Sequence, residues 1–380
     1  MFLSSQSKFL HITKKCFRNI SLSTALQGFD PKIPVEEAFT PPNSWYTSQE
    51  FYQKEIENIW KKNWVCADGF LNFKEAGDFK TGNLANQPYI LMQSKDVIKA
   101  FYNVCLHHGS VIETNPEGKC EQLQCPYHGW TYNIDGQLIK CASMKGIKNF
   151  KLKENKLKEI NSFHYGNLCF LNLNQNAKVE EIKTTMGNFE KAHLEKKIDP
   201  KFEKLHFVMK KDYVINCNWK IFVDNWLDGG YHVPILHKNL NKEIEMKQYL
   251  ITNHHKLNLQ EAPGSQSDRI GDYAIYSYVF PNTMIARYGP WLDISLIFPL
   301  AVDKCLVTMK WFVSPEKKDD QKFIEDSLKS SYEIQEEDIY ISQLVMQGVS
   351  SDGYYKGRYS PLKESGMHCF HKQIHQELSQ

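Results

Sequence analysis

No stretch of this 380-residue chain is apolar for long enough to cross a bilayer. The longest near-apolar run, ISLIFPLAV (294–302), falls well short of the ~20 residues a spanning helix needs and contains a proline. Neither sign of charge prevails: 46 Lys and Arg stand against 44 Asp and Glu, a net +2 that gives no electrostatic case for nucleic acid. Ten cysteines are spread thinly, without the density of a disulfide-stapled secreted domain, and most read as buried free thiols in a reducing compartment. A Gly-rich dinucleotide fingerprint is missing too, since DGGYH (228–232) is not G-x-G-x-x-G after a strand. Any redox chemistry here must therefore draw electrons from outside the chain. Finally, the first 29 residues contain no Asp or Glu but carry Lys8, Lys14, Lys15, Arg18 and several serines. That composition suits an organelle transit peptide, mitochondrial first and plastid second, with a cytoplasmic location as the remaining alternative.

What is present is ordinary globular material, 42% apolar and 24% charged, long enough for two domains. Residues 30–64 read as a helical lead-in, with Phe51, Ile56, Ile59 and Trp60 at roughly helical spacing. Over 65–172 short β-type runs alternate with Gly, Asn and Asp turns, NIDG (133–136) being a hairpin signal. That predicts a small, largely antiparallel β domain. A charged helix over 178–200 marks a change of character. Residues 173–380 then read as an α+β domain, with a helix near 217–233, strands across 272–312 and a long helix near 316–349.

Two loops stand out, CLHHGS (105–110) and CPYHGW (125–130), each offering one Cys and one His. Cys105, His107, Cys125 and His128 suit a [2Fe–2S] cluster with thiolates on one iron and imidazoles on the other, a ligand set that raises the reduction potential. A structural zinc would use similar residues but usually at wider, paired spacings. His108 is an extra imidazole, expected not to be a ligand.

A second set lies in NWLDGGYHVPILH (225–237). On one helix Ile221, Asn225, Asp228 and His232 would share a face, and Pro234 would break the helix so that His237 could swing toward His232. In SYEIQEEDIYISQLVMQG (331–348), Ile334, Ile341 and Val345 would form a buried stripe carrying Asp338, with Glu336 and Glu337 pointing elsewhere. A core carboxylate is costly unless it is in a salt bridge or on a metal. Two histidines and one carboxylate make the facial triad of non-haem Fe(II) oxygen chemistry. His368, His371 and His375 also recur at helical spacing after Glu364, and read as packing or a subunit contact.

With these residues in view, NVCLHHGS, CPYHGWTYNIDGQL, NWKIFVDNWLDGGYHVPILH, FPNTMIARYGPW, EEDIYISQLVMQG and GRYSPLKESGMHCFH resemble the α subunits of Rieske-type oxygenases, in the branch of choline monooxygenase and other quaternary-ammonium oxygenases. The resemblance implies an N-terminal all-β Rieske domain and a C-terminal helix-grip (Bet v1-like, START-like) catalytic domain, α+β with an antiparallel sheet. It implies that Cys105, His107, Cys125 and His128 hold the cluster, and that His232, His237 and Asp338 hold the mononuclear iron. In many family members an acid three residues before the first iron histidine relays electrons between subunits of a homotrimer. Here that position is Gly229, and Asp228 is the nearest acid, with Asn225 a candidate neighbour of the iron ligands. Leu106 and His108 stand where the family commonly has arginines.

The implied reaction is hydroxylation of choline to betaine aldehyde hydrate, the first step of glycine betaine synthesis, with electrons from a ferredoxin or reductase. Oxygenation or demethylation of carnitine, glycine betaine or a proline betaine is the alternative, followed by ring dioxygenation. A Rieske electron carrier without catalysis is a reading of a different class. Quaternary ammonium groups bind over aromatic faces, so Trp226, Tyr276, Tyr278, Phe280, Tyr288 and Trp291 are candidate substrate contacts.

Overall fold

The computed structural model describes residues 21–379. Most of the expected targeting segment, residues 1–20, lies outside the described residues. The remainder of it is packed: Ser21 caps a short helix, Leu22–Gln27, and the Trp45 indole donates to the Ala25 carbonyl at 2.9 Å. Ala25 and Phe29 are buried.

A seven-stranded antiparallel sheet forms the first layer. Its spatial order is Val65–Asp68, Leu168–Asn172, Glu159–Tyr165, Val97–Tyr102, Gln87–Ser94, Asp78–Leu84 and Glu117–Lys119. A three-stranded sheet of Gln122–Gln124, Thr131–Asn133 and Leu138–Lys140 caps it, and the core between them includes Phe101, Tyr132 and Trp130. The first Cys-His loop follows the Val97–Tyr102 strand, and the second is the turn of the small sheet's first hairpin, between Gln122–Gln124 and Thr131–Asn133.

The second domain is one seven-stranded antiparallel sheet, ordered His206–Ile215, Lys304–Val313, Trp291–Ala301, Thr283–Tyr288, Gly271–Val279, Leu257–Ser267 and Leu250–His254. Three helices, Trp219–Leu227, Gln321–Val349 and Ser365–Leu378, pack together on one face. The other face takes the Val179–Glu195 helix and the end of the first sheet formed by Val65–Asp68 and Leu168–Asn172, burying Ile182, Phe189, Phe170, Ile285 and Phe312. The charged helix is thus solvated on one side only. Between the domains, the Asn282 side chain pairs with both the N–H and the carbonyl of Cys66, at 2.9 Å each.

The Trp219–Leu227 helix is fixed at its start. Lys220 and Glu55, both with no exposed side-chain surface, form an ion pair at 2.6 Å. Trp219 Nε1 donates to the other Glu55 oxygen at 3.0 Å and Asn218 accepts from Lys220 at 2.8 Å. A buried charge pair persists only when its spare atoms find partners, and here the partners come from the lead-in and the helix itself.

Candidate metal centres

The two Cys-His loops are the same turn built twice. In the first, Cys105 N–H donates to the Ser110 carbonyl at 2.8 Å and Gly109 N–H to the Cys105 carbonyl at 2.9 Å. In the second, Cys125 N–H donates to Trp130 at 2.8 Å and Gly129 N–H to Cys125 at 3.0 Å. Gly109 and Gly129 take φ of +73° and +69°, a region open to glycine. Side-chain room is not the reason at Gly109, where an added Cβ would meet nothing within 4 Å.

These turns pair sulfur with sulfur and imidazole with imidazole. The Cys105 and Cys125 side chains contact each other. His107 and His128 rings lie 4.7 Å apart, and His107 stacks on Trp130 at 4.7 Å and 8°. Among the described residues, His107, His108 and His128 present ligand atoms within 4.8 Å of one another, and neither cysteine sulfur joins that set. One tetrahedral zinc would need all four donors about a single point. Separate sulfur and nitrogen pairs suit two irons. His107 Nδ1, buried and without a hydrogen-bond partner, is the lone pair such an iron would take up. His108 lies beside His107, at 3.9 Å between ring centroids, but outside the C-x-H spacing.

Second contacts set the sulfurs apart. Burial raises the Cys105 thiol, and the Tyr132 hydroxyl stands 3.4 Å from its Sγ. At Cys125 burial acts the same way, but amides of Tyr127 and His128 with the Cys105 and Ser110 side chains outweigh it and hold the thiol below its ordinary value.

The second centre departs from the sequence expectation in how it is built. The helix ends at Leu227, with Asp228 as its cap, and the break is the glycine pair Gly229 and Gly230, at φ +66° and +67°. Pro234 does not break the helix; it sits in the first turn of a new short one, Val233–Leu236. His232 precedes that helix and His237 follows it, so one turn brings both imidazoles to the same side. Their Nε2 atoms are 3.0 Å apart, His237 Nε2 is 3.0 Å from Asp338 Oδ1, and His232 Nε2 is 3.7 Å from the same oxygen. Donors held at about 2.1 Å from one ion lie roughly this far apart, so the three fit an iron with its remaining positions open.

Asp338 reaches the site on a different stripe from the one expected. The buried face of Gln321–Val349 is Ile324, Ser327, Ser331, Gln335, Ser342, Met346 and Val349. Val345 is 43% exposed, and Ile334 and Ile341 are only partly buried. Asp338 falls between Gln335 and Ser342 on the true stripe. The expectation that Glu337 points elsewhere is also corrected: its Oε2 lies 2.7 Å from His237 Nδ1. Hydrophobic spacing could not reveal it, because Glu337 lies beside the stripe, not on it.

Both iron histidines are thus backed by carboxylates. Asp228 Oδ2 is 2.5 Å from His232 Nδ1 and accepts the His232 amide, while its Oδ1 accepts from Tyr231 N–H at 3.2 Å. A Cβ at Gly229 would come 2.2 Å from the Lys363 carbonyl oxygen. No acid fits at 229, and Asp228 takes up the histidine from one residue earlier. Asn225 Nδ2 donates to Asp338 Oδ1 at 2.7 Å. Burial opposes charging of His237, but Asp338 and Glu337 outweigh it and raise its pKa.

The other candidates divide. Trp226 and Tyr276 meet edge to face at 6.0 Å, near Asn225. Tyr288 hydroxyl donates to Asp293 at 2.8 Å. Tyr278 is engaged elsewhere, its hydroxyl on the Pro281 carbonyl at 2.7 Å and its ring against Phe370, as is the Phe280 ring. Trp291 stacks on Phe323 at 6.0 Å. His371 is enclosed by Tyr46, Tyr359 and Asp224, and His368 and His375 do not join it in a ligand set among the described residues.

Comparison with known families agrees with this geometry. Residues 63–151 match the Rieske [2Fe–2S] domain, and residues 202–380 match the ring-hydroxylating α subunit catalytic domain. Choline monooxygenase of Arabidopsis thaliana is 37% identical, covering 98% of this chain and 92% of the relative. The carnitine monooxygenase oxygenase subunit of Escherichia coli K12 is 27% identical, covering 90% of this chain and 94% of the relative. A solved quaternary ammonium Rieske monooxygenase superposes with a TM-score of 0.80 at 23% identity, covering 92% of this chain and 96% of its own. With a cluster-binding pair of loops in one domain and an iron triad in the next, the chain belongs to the Rieske non-haem iron monooxygenases, as an oxygenase α subunit.

Proposed function

We propose that this subunit hydroxylates choline at its alcohol carbon: choline, O₂, two electrons and two protons give betaine aldehyde hydrate and water. The observation that carries the reading is the joint presence of the triad His232, His237 and Asp338 with a Rieske pair in a chain 37% identical, almost end to end, to a choline monooxygenase. When bound, the cluster supplies single electrons and the iron activates O₂. The protein's part is positioning. Asp228 and Glu337 hold the protons at Nδ1 of His232 and His237, leaving both Nε2 lone pairs toward the metal. Asn225 orients the Asp338 carboxylate.

Electrons are proposed to come from a ferredoxin or reductase, and to pass between neighbouring subunits of a homotrimer through Asp228. Two exposed apolar patches support such a ring. Leu106, Val111 and Tyr127 rim the cluster loops, and Tyr231, Ile235, Tyr340 and Leu344 rim the iron site. They are different surfaces, as a head-to-tail contact requires. Import into an organelle, the mitochondrion first, is proposed from the acid-free N-terminus; a fluorescent fusion of residues 1–40 remaining in the cytosol would contradict it.

The test is turnover of the reconstituted protein with a ferredoxin–reductase couple, O₂ and choline. Betaine aldehyde with three irons per chain is the expected result. Product from carnitine and none from choline would reverse the substrate order, and two irons per chain would leave only an electron carrier.

A further inference from the structure

One stretch of the surface carries charge far out of proportion to the chain. Residues 140–158 hold seven lysines and one glutamate, +6 in a protein whose total is +2. Every one of these lysines is exposed. Elsewhere in the first domain lysines are paired with acids, Lys80 with Asp68, Lys99 with Asp135 and Lys119 with Glu75. Here Lys151 meets Glu154 at 2.7 Å and Lys156 meets Glu159. Lys140, Lys145, Lys148 and Lys153 enter no ion pair among the described residues.

The stretch is held in place beside the cluster loops. The Gln137 side chain donates to the carbonyls of Lys153 and Asn155 at 3.0 and 2.7 Å, and the Asn155 side chain donates to the Lys151 carbonyl at 2.8 Å. Met144, Phe150 and Leu152 pack on the core that contains Cys105 and Cys125. The Phe150 ring lies 5.8 Å from that of Trp130, and Trp130 stacks on His107. Fixed positive charge thus stands one buried indole away from a cluster ligand. The apolar rim of Leu106 and Tyr127 belongs to the cluster loops themselves, so the lysine face is a second, chemically different surface of the same centre.

We infer that residues 140–158 form the docking surface for the electron donor, an acidic electron-carrier protein that meets Lys140, Lys145, Lys148 and Lys153, while the apolar rim faces the neighbouring subunit. The inference deepens the proposed electron supply and rests on the reading of the two loops as a cluster site. In each encounter the donor is oxidised by one electron and the cluster reduced by one. No bond forms or breaks, and two encounters supply one turnover. Two properties favour a protein over an anionic lipid surface or nucleic acid. All seven cations are lysines, compact hydrated charges that suit a brief, salt-sensitive contact better than the bidentate grip arginine makes on phosphate. Opposite charge also speeds encounter more than it tightens it, which suits a carrier that must leave between electrons.

Calorimetric titration of the oxidised holoenzyme with an oxidised, acidic plant-type [2Fe–2S] ferredoxin tests this without turnover. Wild-type affinity should fall steeply as salt rises from about 0.01 M to about 1 M, where the screening length shrinks from about 30 Å to about 3 Å. The triple variant Lys145→Glu, Lys148→Glu and Lys153→Glu should bind at least about tenfold more weakly and lose most of the salt dependence. A control with Lys191→Glu, Lys201→Glu and Lys329→Glu, exposed lysines outside the first domain, should bind as wild type does. Stopped-flow reduction separates docking from damage to the cluster. Dithionite should bleach all three proteins at one rate, whereas reduced ferredoxin should bleach the first variant about tenfold more slowly. Equal weakening in the control, or unchanged ferredoxin binding in the first variant, would overturn the docking surface alone. A wild type that ignores ferredoxin but binds vesicles of phosphatidylserine and phosphatidylcholine through these lysines would overturn it in favour of a membrane. A wild type with iron at the triad but no cluster absorption to bleach would remove the cluster reading beneath it.

Discussion

The two carboxylates behind the iron histidines occupy unlike surroundings. Asp228 is 7% exposed and accepts two backbone amides besides the His232 ring, whereas the Glu337 side chain is 43% exposed and reaches the His237 ring from the solvent side. An ionic contact open to water is worth much less than one enclosed by protein. Asp228→Asn keeps an acceptor for His232 and the amides but removes the charge, and it should abolish turnover while both metals stay bound. Glu337→Gln should cost only about tenfold, the lower end of what loss of a histidine's carboxylate partner brings. Steady-state turnover beside metal analysis of each variant checks both. Comparable losses in the two would mean that exposure does not rank them, and full activity in Asp228→Asn would take Asp228 out of the electron path.

At the scale of elements, the iron site depends on where the Trp219–Leu227 helix begins and ends. Its start is tied by the Lys220–Glu55 pair, in which burial pushes the carboxyl up and the ammonium down while each partner opposes the shift. Lys220→Met leaves a buried carboxylate alone and should destabilise by about 3–5 kcal/mol, whereas adding Glu55→Leu should recover most of that loss. Denaturant unfolding of the two variants decides it; an unaltered midpoint for Lys220→Met would show the pair to be incidental. The helix end shows how far the sequence could be read. Cys105, His107, Cys125 and His128 were legible because each loop is local and its spacing is its geometry. The long helix was legible from its length, whereas Asp338 was reached through a stripe that was misjudged and through the family resemblance: serines and glutamine line the polar interior that hydrophobic spacing ignores. The glycine pair escaped notice because a proline nearby offered a simpler break.

Across the whole molecule, the cluster loops and the triad each carry their own rim of exposed apolar side chains, Leu106 and Tyr127 at one and Ile235 at 80% exposure at the other. Apolar surface of this kind is ordinarily covered by a partner, and two unlike patches close into a ring when each meets the other on the next copy. Electron flow between copies then has a consequence that flow within one chain lacks. A Cys125→Ala variant keeps the iron triad but loses the cluster, and Asp338→Ala keeps the cluster but loses the iron. Each alone should be inactive. Unfolding is unnecessary for mixing if both are co-expressed with different tags and doubly tagged rings are isolated. A doubly tagged trimer holds two chains of one variant and one of the other, so an intact triad faces an intact neighbouring cluster at one position in three, and the isolated rings should recover about a third of wild-type turnover per chain. Substituting Ile235→Glu in both variants should separate the rings and remove the recovered activity, which size-exclusion chromatography beside the turnover assay would register. Inactive mixed rings would mean that each cluster serves the iron of its own chain, and that the exposed patches serve some other contact.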